Sequence, residues 1–375
     1  MKKSYVVDIS GRVDIYDEAL TGSLKNCESE YIVKLLRPRK GLLSLVPYKF
    51  ATSTHIIKRV LKLIEGLINY LYLIIIITLK RPSVLHMQWL PFMDYNGLEI
   101  YILKIIKALS NNTKIVLTIH NVYPHNMSGK AKIAYNIRYR KACSLINEFI
   151  VHTYISKQDV IREFHLSESR VNVCCHGVFV PYGVKLIKSN RIGGKLHILQ
   201  FGGQSLYKGT DLLVDAVDNL EESLQKKIEV HIVGGISNDF LTELKKKDSN
   251  KNIIWKPYFL KDEELYEEIN NSDLIVLPYR AISQSGVLLL SIYFEKMIIC
   301  SDLPSFKETM QGNEGTLLDD ILFFKSEDSK SLQCLLMKYI NMEIDEKLVH
   351  ERIKRLKKIY SWDVAAMSTF QVYNK

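Results

Sequence analysis

The sequence predicts an α/β protein made of two doubly wound parallel-sheet domains. Strand-like apolar runs alternate with helix-length segments, which is typical of βαβ units around a parallel sheet. A polar, glycine-containing stretch, YGVKLIKSNRIGGK, interrupts this alternation, and a second series of strands and helices follows it. The length of 375 residues also exceeds what one hydrophobic core usually supports. The first domain is therefore predicted at 1–185 and the second at 194–355.

Each domain supplies several predicted strands and helices. In the first domain the strands are Tyr5–Ile9, Ser83–Gln88, Lys114–Ile119, Phe149–His152 and Arg170–Cys174, and the helices include His55–Leu79, Gly97–Leu109 and Lys130–Ile146. In the second domain the strands are Leu196–Phe201, Ile228–Val233, Ile253–Trp255, Leu274–Pro278 and Ile298–Ser301, and the helices include Thr210–Leu220, Ser237–Lys247, Lys261–Asn270 and Lys347–Tyr360. Ligands of such sheets bind beyond the carboxyl ends of the strands. With two sheets, the expected site is a cleft between the domains.

The most apolar segment is GLINYLYLIIIITL, 14 residues from Gly66 to Leu79 without a charge. A helix that spans a membrane needs about 20 apolar residues. The sequence therefore predicts a helix packed in the core, with a membrane-surface helix and a true span as alternatives. The four consecutive isoleucines favour a strand locally.

Charge is distributed unevenly along the chain. Residues 1–200 carry 29 Lys and Arg against 13 Asp and Glu, a net charge of +16, whereas residues 201–375 carry 22 against 28, a net charge of −6. The basic half could face an anionic membrane, a nucleic acid or a phosphorylated acceptor. No basic strand with interleaved aromatic residues supports nucleic-acid binding. The six cysteines show no C-x-x-C spacing, which argues against zinc and fits free thiols in a reducing cytoplasm.

A glycine-rich turn follows the first predicted strand of the second domain, in LQFGGQSLYKGTDLLVDAV. Gly202 and Gly203 let the backbone approach a ligand closely. A helix begins near Thr210 and Asp211, which are good capping residues. A strand, a glycine loop and a helix N-terminus form a ready phosphate site, to which Lys208 adds a cation. A turn with only a structural role is the alternative, because the stretch matches neither G-x-x-x-x-G-K-[ST] nor G-x-G-x-x-G.

A second loop of small polar residues lies in SDLIVLPYRAISQSGVLLLSIYFEKMIICSD. The buried strand of this motif ends shortly before Arg280, and an apolar helix begins near Gly286. Ser283, Ser285 and the N–H group of Gly286 are therefore expected to meet a ligand at the start of that helix. Two helix N-termini and two cations, Lys208 and Arg280, suit a diphosphate.

These two motifs, together with VLHMQWLPF, VLTIHNVYPH and FIVHTYISKQDVIREFHLSESRVNVCCHGVF, resemble glycosyltransferase family 4 and its GT-B relatives. The resemblance runs from about residue 1 to about residue 370, and the motifs come in the family's order. It implies the GT-B fold, in which two Rossmann-like domains face a cleft. The second domain would hold a nucleotide-sugar donor and the first domain the acceptor. A carboxyl-terminal helix at 356–375 would cross back to the first domain.

The resemblance also implies roles for individual residues. Lys208 would contact the donor diphosphate, and Gly202 and Gly203 would line the donor loop. His120 resembles the family histidine near the transferred sugar and is the expected catalytic residue. Glu308, in SDLPSFKE, matches the acidic residue after the last strand of the donor domain.

Histidines at predicted strand ends are further candidates. His120 and His125 follow one apolar strand, and His176 follows another. We expect His125 and His176 on the acceptor side, with hydrogen-bonded structural roles as the alternative. His86 lies within a strand and is expected to be a satisfied core residue. The sequence has no Asp-x-Asp motif and no helical pair of histidines with a third ligand, so it predicts transfer without a metal or other cofactor.

Two features depart from the family pattern. Ser205 stands where most members have an arginine, three residues before the lysine. Ile282 and Leu290 stand where the family has a Glu-x7-Glu pair, and neither side chain can bind hydroxyl groups. The Ser-x-Ser-Gly stretch at 283–286 is similar to that of a group of bacterial surface-polysaccharide transferases and would supply donor contacts in place of these carboxylates.

The sequence thus predicts a glycosyltransferase that moves a sugar from a UDP- or GDP-sugar to a growing glycan. The basic half favours a lipid-diphosphate-linked acceptor at an anionic membrane, as in O-antigen, capsule or exopolysaccharide synthesis. The expected location is the cytoplasm, on the inner face of the membrane, with no nucleic-acid partner. Two alternatives remain open. A nucleotide-sugar epimerase of the same fold would need a pair of acid–base carboxylates, and a catalytically silent nucleotide-sugar-binding subunit would explain Ile282 and Leu290.

Overall fold

The computed structural model describes residues 1–12, 14–27, 30–46, 56–94, 96–124, 127, 129–178, 194–249, 252–282, 284–311 and 319–375. The chain forms two compact units, one of Met1–Gly177 with Ser361–Lys375 and one of Val178–Tyr360. Every pairing between the strands of the described chain is parallel. The predicted fold class, two parallel-sheet α/β domains, is therefore confirmed. Most of the predicted linker, at 182–195, lies outside the described residues.

Within the described residues, the first unit contains a seven-stranded sheet in the order β3-β2-β1-β4-β5-β6-β7. Its strands are β1 (Lys2–Val7), β2 (Tyr31–Pro38), β3 (Gly41–Leu42), β4 (Val84–Met87), β5 (Lys114–Thr118), β6 (Glu148–Val151) and β7 (Val171–Val173). The chain builds outward from β1 to β3 and then returns to the other side of β1 with β4. The carboxyl ends of β1 and β4 therefore form the switch point at which open α/β sheets bind ligands.

The helices of this unit are α1 (Asp14–Asn26), α2 (Ile56–Lys80), α3 (Glu99–Leu109), α4 (Gly129–Cys143), α5 (Tyr154–Phe164) and α15 (Trp362–Asn374). Neither α1 nor β2 is among the predicted elements, although both carry a regular pattern. α1 buries Tyr16, Leu20 and Leu24, which lie four residues apart on one helical face. β2 alternates buried and exposed residues over its first four positions, the period of a strand with one buried face.

The 25-residue helix α2 has one buried face and one exposed apolar face. Its isoleucine run is helical, so the local preference for a strand is overridden. The reason is that Tyr70, Leu73 and Ile77 lie on one helical face and pack in the core. Core packing explains only the buried face of α2. The opposite face is also apolar but lies in solvent, with Leu71 and Leu79 61% and 74% exposed. By length and composition alone α2 could cross a membrane, a test that core helices of soluble proteins also pass.

The last helix, α15, is part of the first unit and packs against α1. The Trp362 ring fills the space beside Gly177, where an added Cβ would lie 2.3 Å from Trp362 Cδ2. Near the other end of α15, Tyr373 Oη lies 2.8 Å from His86 Nδ1. The Tyr373 carbonyl accepts a hydrogen bond from Lys114 Nζ at 3.0 Å. The end of the chain thus completes the core of the first unit.

Within the described residues, the second unit contains a six-stranded sheet in the order β10-β9-β8-β11-β12-β13. Its strands are β8 (Leu196–Phe201), β9 (Ile228–Val233), β10 (Ile253–Lys256), β11 (Leu274–Leu277), β12 (Met297–Ser301) and β13 (Phe323–Phe324). Its helices are α6 (Thr210–Asp218), α7 (Glu222–Gln225), α8 (Asn238–Lys247), α9 (Asp262–Asn271), α10 (Gly286–Tyr293), α11 (Pro304–Gln311), α12 (Asp319–Leu322), α13 (Ser329–Ile340) and α14 (Glu346–Ile359). The strand order reverses between β8 and β11, which makes their carboxyl ends the switch point of this unit.

Candidate active site

The glycine loop follows β8 at the switch point of the second unit. Gly202 has a φ of +101°, in the region that favours glycine. Gly234, at the end of β9, approaches so closely that an added Cβ would lie 1.9 Å from the Gly202 carbonyl oxygen. Gly203 has more room, since a Cβ there would first meet Phe259 Cζ at 3.8 Å. Of the two predicted loop glycines, Gly202 is the one that the backbone geometry requires.

Lys208 ends a short 3₁₀ turn that begins at Leu206. The next residue, Gly209, has a φ of +65°, and its Cβ would lie 1.7 Å from the Pro278 carbonyl oxygen. The Lys208 Nζ lies 3.8 Å from the centre of the Tyr279 ring. Burial lowers the pKa of this ammonium group to about 8. A desolvated cation held over an aromatic ring near the carboxyl ends of the strands is well suited to an anionic ligand.

Polar side chains that the sequence analysis did not single out hold this loop in place. Gln204 Nε2 donates to two backbone carbonyls, that of Gly202 at 2.8 Å among them. Gln204 Oε1 accepts from Thr210 Oγ1 at 2.8 Å. Gln200 Nε2 donates to the Lys208 carbonyl at 3.2 Å. The two buried glutamines thus fix the path of the backbone on both sides of Lys208.

Arg280 is engaged by neighbouring protein groups. Its guanidinium group forms a bidentate ion pair with Asp211, with both N–O distances at 2.7 Å. It also donates to the Leu206 carbonyl at 2.5 Å, while the backbone N–H of Arg280 donates to the Tyr207 carbonyl at 2.8 Å. These bonds tie the loop after β11 to the turn that carries Lys208. A diphosphate contact of Arg280 stays a prediction, and bracing of the loop is the role that its contacts describe.

The start of α10 lies beside the glycine loop, because a Cβ on Gly202 would be 3.4 Å from Val287 Cγ2. Ser285 is the N-cap of this helix, and its Oγ accepts a backbone N–H of the first turn at 3.1 Å. The N–H groups of Gly286 and Val287 belong to the same turn, where no carbonyl of the helix can accept them. These N–H groups lie next to the glycine loop, and anion binding by them stays a prediction. The other predicted contact, Ser283, lies outside the described residues.

Apolar side chains occupy the positions of the missing carboxylates. Ile282 and Leu290 are partly buried and pack against the core of the second unit. Glu308 is half-buried on α11. The start of α11 is held to the loop before α10, since Ser305 Oγ donates to the Ile282 carbonyl at 2.8 Å. The donor roles predicted for Ser285 and Glu308 stay predictions.

In the first unit, His120 follows β5 and is enclosed by other rings. Its ring lies 4.6 Å from that of Trp89, nearly parallel at 17°. The guanidinium carbon of Arg12 lies 4.3 Å from the centre of the Trp89 ring. Tyr16 meets His120 edge-on, with 4.8 Å between the ring centres. Because Arg12 follows β1 and Trp89 follows β4, these contacts place His120 beside the switch point of the sheet.

His152 orients His120. The Nδ1 of His152 lies 3.0 Å from the Cys174 carbonyl, which can only accept, so Nδ1 carries the proton. Burial lowers the pKa of His152 to about 4, so the ring is neutral and its Nε2 accepts from His120 Nδ1 at 3.2 Å. Burial also lowers the pKa of His120 well below its usual value. His120 is therefore a neutral imidazole with a single ring proton. A proton on Nδ1 faces His152 and leaves the lone pair on Nε2, but the atom 3.2 Å from Nε2 is the side-chain oxygen of Gln88, which also accepts, so His152 and Gln88 compete for that one proton.

Two other histidines are buried in the first unit. His86 lies between the hydroxyl groups of Tyr373 and Thr118, at 2.8 and 2.7 Å, as expected of a satisfied core residue. His176 packs against Trp362 and Tyr16, and its Nδ1 lies 2.7 Å from the carbonyl of the next residue. Burial lowers the pKa of each to about 3, so both rings are neutral. An acceptor-side role of His176 stays a prediction.

The remaining predicted acceptor-side residue, His125, lies outside the described residues.

Potential metal ligands come together elsewhere. Within the described residues, ligand atoms of His197, Glu229 and His231 lie within 4.8 Å of one another. These residues lie in the first two thirds of β8 and β9, away from the glycine loop that follows β8. His231 lies between two carboxylates, with Nδ1 2.8 Å from Glu268 and Nε2 2.9 Å from Glu229. Hydrogen bonds of His231 to the two glutamates account for this grouping, and metal-independent transfer stays a prediction.

A family match covers most of the second unit. Residues 185–358 match the family described as Glycosyl transferases group 1. The chain is 22% identical over 233 residues to the GDP-mannose:glycolipid 4-beta-D-mannosyltransferase of Xanthomonas campestris pv. campestris, a match that covers 59% of this chain and 62% of that protein. The chain thus spans about three fifths of the length of the curated relatives that it matches.

Solved structures share the fold over nearly the whole chain. The glycosyltransferase from Rickettsia africae ESF-5 has a TM-score of 0.66 at 16% identity, covering 100% of this chain and 98% of that one. Anabaena HepE in complex with UDP has a TM-score of 0.68 at 10% identity, covering 99% of each chain. At these identities the likeness concerns the fold alone, and it confirms the GT-B fold that the sequence predicts.

Proposed function

We propose that this chain, whose residues 185–358 match the family described as Glycosyl transferases group 1, moves a sugar from a UDP- or GDP-sugar to a glycan carried by a lipid diphosphate. The family consists of glycosyltransferases, and the donor, the acceptor and the cellular location are proposed on the basis of that match. The observation that carries the proposal is the desolvated Lys208 cation beside the glycine loop and the N-terminus of α10.

The donor diphosphate is the part of the substrate that best suits this site. Lys208 supplies a positive charge, and the first N–H groups of α10 supply donors at the positive end of a helix dipole. Gly202 lets the ligand approach the backbone between them. The HepE structure contains UDP, and the Xanthomonas relative is named for GDP-mannose. Both support a nucleoside diphosphate sugar and leave the base open.

The proposed chemistry divides between the two units. Transfer of a sugar requires stabilisation of the diphosphate as it leaves and gains charge. Lys208 and the N-terminus of α10 would supply this stabilisation without a metal ion. His120 offers a neutral imidazole. With its proton on Nδ1, toward His152, its Nε2 would accept the proton of the attacking hydroxyl; with its proton on Nε2 it would instead donate to the transferred sugar and position it. Trp89 and His152 would hold that imidazole in place through the stacking and hydrogen bonding described above.

The acceptor is proposed to be a lipid-linked glycan at the inner face of the cytoplasmic membrane, as in the synthesis of O-antigen, capsule or exopolysaccharide. The net charge of +16 over residues 1–200 favours contact with anionic lipids. The exposed apolar face of α2 favours insertion at the membrane surface. The Xanthomonas relative is named for a glycolipid acceptor, which supports the same class.

A catalytically silent nucleotide-sugar-binding subunit is the second candidate. It is favoured by Ile282 and Leu290, whose apolar side chains pack against the core where the resembled family has two glutamates. The presence of Lys208 and of the ordered His120 weighs against it, since a silent subunit has no need of a positioned base. An epimerase would require a pair of acid–base carboxylates, and Glu308 is the one carboxylate among the predicted site residues.

The test is a panel of nucleotide sugars, screened first by thermal shift and then by release of nucleoside diphosphate with a polyprenyl-diphosphate glycan acceptor. We expect one donor to stabilise the protein and to be consumed only when the acceptor is present. Lys208→Met should lose both effects, whereas Lys245→Met, a change of an exposed lysine on α8, should keep them. Binding without turnover over a broad set of acceptors would favour the silent subunit.

A further inference from the structure

A cavity of about 560 Å³ lies in the first unit against the amino-terminal part of α2. Its lining comes from the segment after β1, from α2 and from the segment after β4, so it opens at the switch point of the sheet. The cavity adjoins the surroundings of His120 through Trp89. One contact of Trp89 is the stack with His120, and another is the guanidinium group of Arg12, which also lines the cavity.

Apolar side chains make up much of the cavity wall. α2 contributes Ile56, Val60 and Leu63. Phe92 packs onto the helix at Gly66, where a Cβ would lie 2.8 Å from Phe92 Cζ. Glycine at this position thus allows an aromatic ring to lie directly against α2. The volume is within the range of about 300–1,000 Å³ that sites for small organic ligands occupy.

Cations exceed carboxylates in the lining. Arg12, Arg59 and Lys62 line the cavity, and Asp94 is the one carboxylate among the lining residues. Lys62 is held by a 2.5 Å ion pair with the fully buried Glu65. Arg59 is exposed, which leaves its guanidinium group accessible from the solvent. This excess of positive charge beside an apolar wall suits an anion that carries a hydrocarbon group.

Beyond the cavity, the outer face of α2 stays apolar to the end of the helix. Exposed apolar residues continue along it at Leu67, Ile68, Leu71, Tyr72, Ile75 and Leu79. Glu65 is the one acidic residue of α2, and basic residues stand near both ends of the helix. A charged pocket that leads onto an exposed apolar helix matches a phosphate with a long lipid tail better than a free phosphate, since free phosphate has no use for the apolar surface.

We propose that this cavity binds the phosphate or diphosphate group and the first hydrocarbon units of the acceptor lipid, and that the rest of the lipid follows α2 into the membrane. The inference rests on the proposed transferase function and deepens it by assigning the acceptor lipid to named residues. Arg12 and Arg59 bind the phosphate oxygens, while Lys62 stays paired with Glu65 at the cavity wall. Val60 and Leu63 contact the hydrocarbon.

The test uses the full-length protein and farnesyl diphosphate, below its micellar concentration, as a soluble probe of the proposed site. Binding is followed by calorimetry and by tryptophan fluorescence, since Trp89 lines the cavity. We expect inorganic pyrophosphate and farnesol to bind at least tenfold more weakly than the complete probe. Arg59→Gln should weaken binding about tenfold, and Val60→Trp, which places a ring in the cavity from an exposed helix position, should abolish it.

Lys80→Gln is the matched control, because Lys80 is an exposed cation of the same helix that does not line the cavity. The proposal is overturned if the probe does not bind, if Arg59→Gln and Val60→Trp bind it like the control, or if pyrophosphate binds as tightly as the probe. It is also overturned if vesicles of phosphatidylglycerol bind the protein while the soluble probe does not, since α2 would then contact only the membrane. Nucleotide-sugar binding is measured in parallel. If the protein binds and consumes the donor but does not bind the probe, the cavity assignment alone is refuted. If the protein binds the probe but shows no transferase activity, the proposed function is refuted.

Discussion

Replacement of Lys208 by methionine is expected to stabilise the ligand-free protein while it weakens donor binding. The ammonium group is desolvated, and burial lowers its pKa from the usual 10.5 to about 8. The folded state therefore disfavours the charged form that prevails at neutral pH. Methionine removes the charge and keeps a side chain of similar length. A site that holds a desolvated cation for an anionic ligand should show this opposition between stability and affinity.

The magnitude follows from two opposing effects. A pKa difference between 10.5 and about 8 corresponds to about 3 kcal/mol of unfavourable burial of the charge. The Tyr279 ring, 3.8 Å from the Lys208 Nζ, offsets about 1–2 kcal/mol of this through its attraction for a cation. At pH 7 the variant should therefore be more stable by about 1–2 kcal/mol. Loss of a charged hydrogen-bond donor to the diphosphate should weaken donor binding about ten- to hundredfold.

The pH dependence of the free energy of unfolding tests the sign of the stability change a second time. Between about pH 8 and the unfolded-state value of 10.5 the unfolded chain binds more protons at Lys208 than the folded chain does, so wild-type stability rises with pH in that interval. The advantage of the variant should shrink over the same interval. Urea unfolding followed by circular dichroism measures both, with hydrogen exchange in β8 and β9 assigning the transition of the second unit. Lys245→Met should change stability by less than about 0.5 kcal/mol. A Lys208 variant that is less stable than the wild type at pH 7, or a stability difference that is constant to pH 10.5, would refute the reasoning.

Other predictions follow from single contacts. Gly209→Ala should destabilise the second unit by about 3 kcal/mol, because alanine is strained in the left-handed conformation and its Cβ would clash with the Pro278 carbonyl. Gly203→Ala, where there is room for a Cβ, should cost less than about 1 kcal/mol. Equal losses of stability in urea unfolding would contradict this prediction. A double-mutant cycle of Arg280→Ala and Asp211→Ala should give a coupling energy of about 1–3 kcal/mol, and a value near zero would remove the bracing role. His120→Ala should lower turnover about a hundredfold with unchanged nucleotide-sugar affinity by calorimetry; a matching loss of affinity would place His120 in donor binding instead. Donor binding should survive EDTA in a thermal-shift assay, and loss of the shift on chelation would indicate a metal.

Buried strands rich in apolar residues could be predicted from the sequence. β8 and β9 are observed at the predicted positions, Leu196–Phe201 and Ile228–Val233, although each carries two polar side chains. β11 (Leu274–Leu277) is an unbroken apolar run, as expected of a central strand buried on both faces, and ends one residue before its predicted end. α1 and β2 are less apolar, and the periodic spacing of their apolar residues could be recognised only once the structure showed which faces they bury. The isoleucine run of α2 shows the reverse case, in which tertiary packing decides against the local preference.

The candidate site divides in the same way. Gly202 and Lys208 could be predicted because a strand, a glycine loop and a cation lie close together in the sequence. Gln204 was missed because its role depends on hydrogen bonds to backbone groups that a linear motif does not reveal. Arg280 carries a charge that the sequence assigns to the ligand, yet its partner Asp211 lies 69 residues away. Trp89 and His152 orient His120 from separate loops, which only the folded sheet brings together.

The return of α15 to the first unit has a consequence for synthesis on the ribosome. The second unit is one continuous segment, Val178–Tyr360, and all of it leaves the ribosome before Trp362 and Tyr373 do. The first unit emerges earlier but cannot close its core until those two side chains arrive. Domains made first usually fold first, whereas here the amino-terminal half must wait, with the surface that α15 will cover still open, until α15 has left the ribosome. A nascent chain stalled short of residue 361 should therefore bind chaperones through its first half while its second half is already folded.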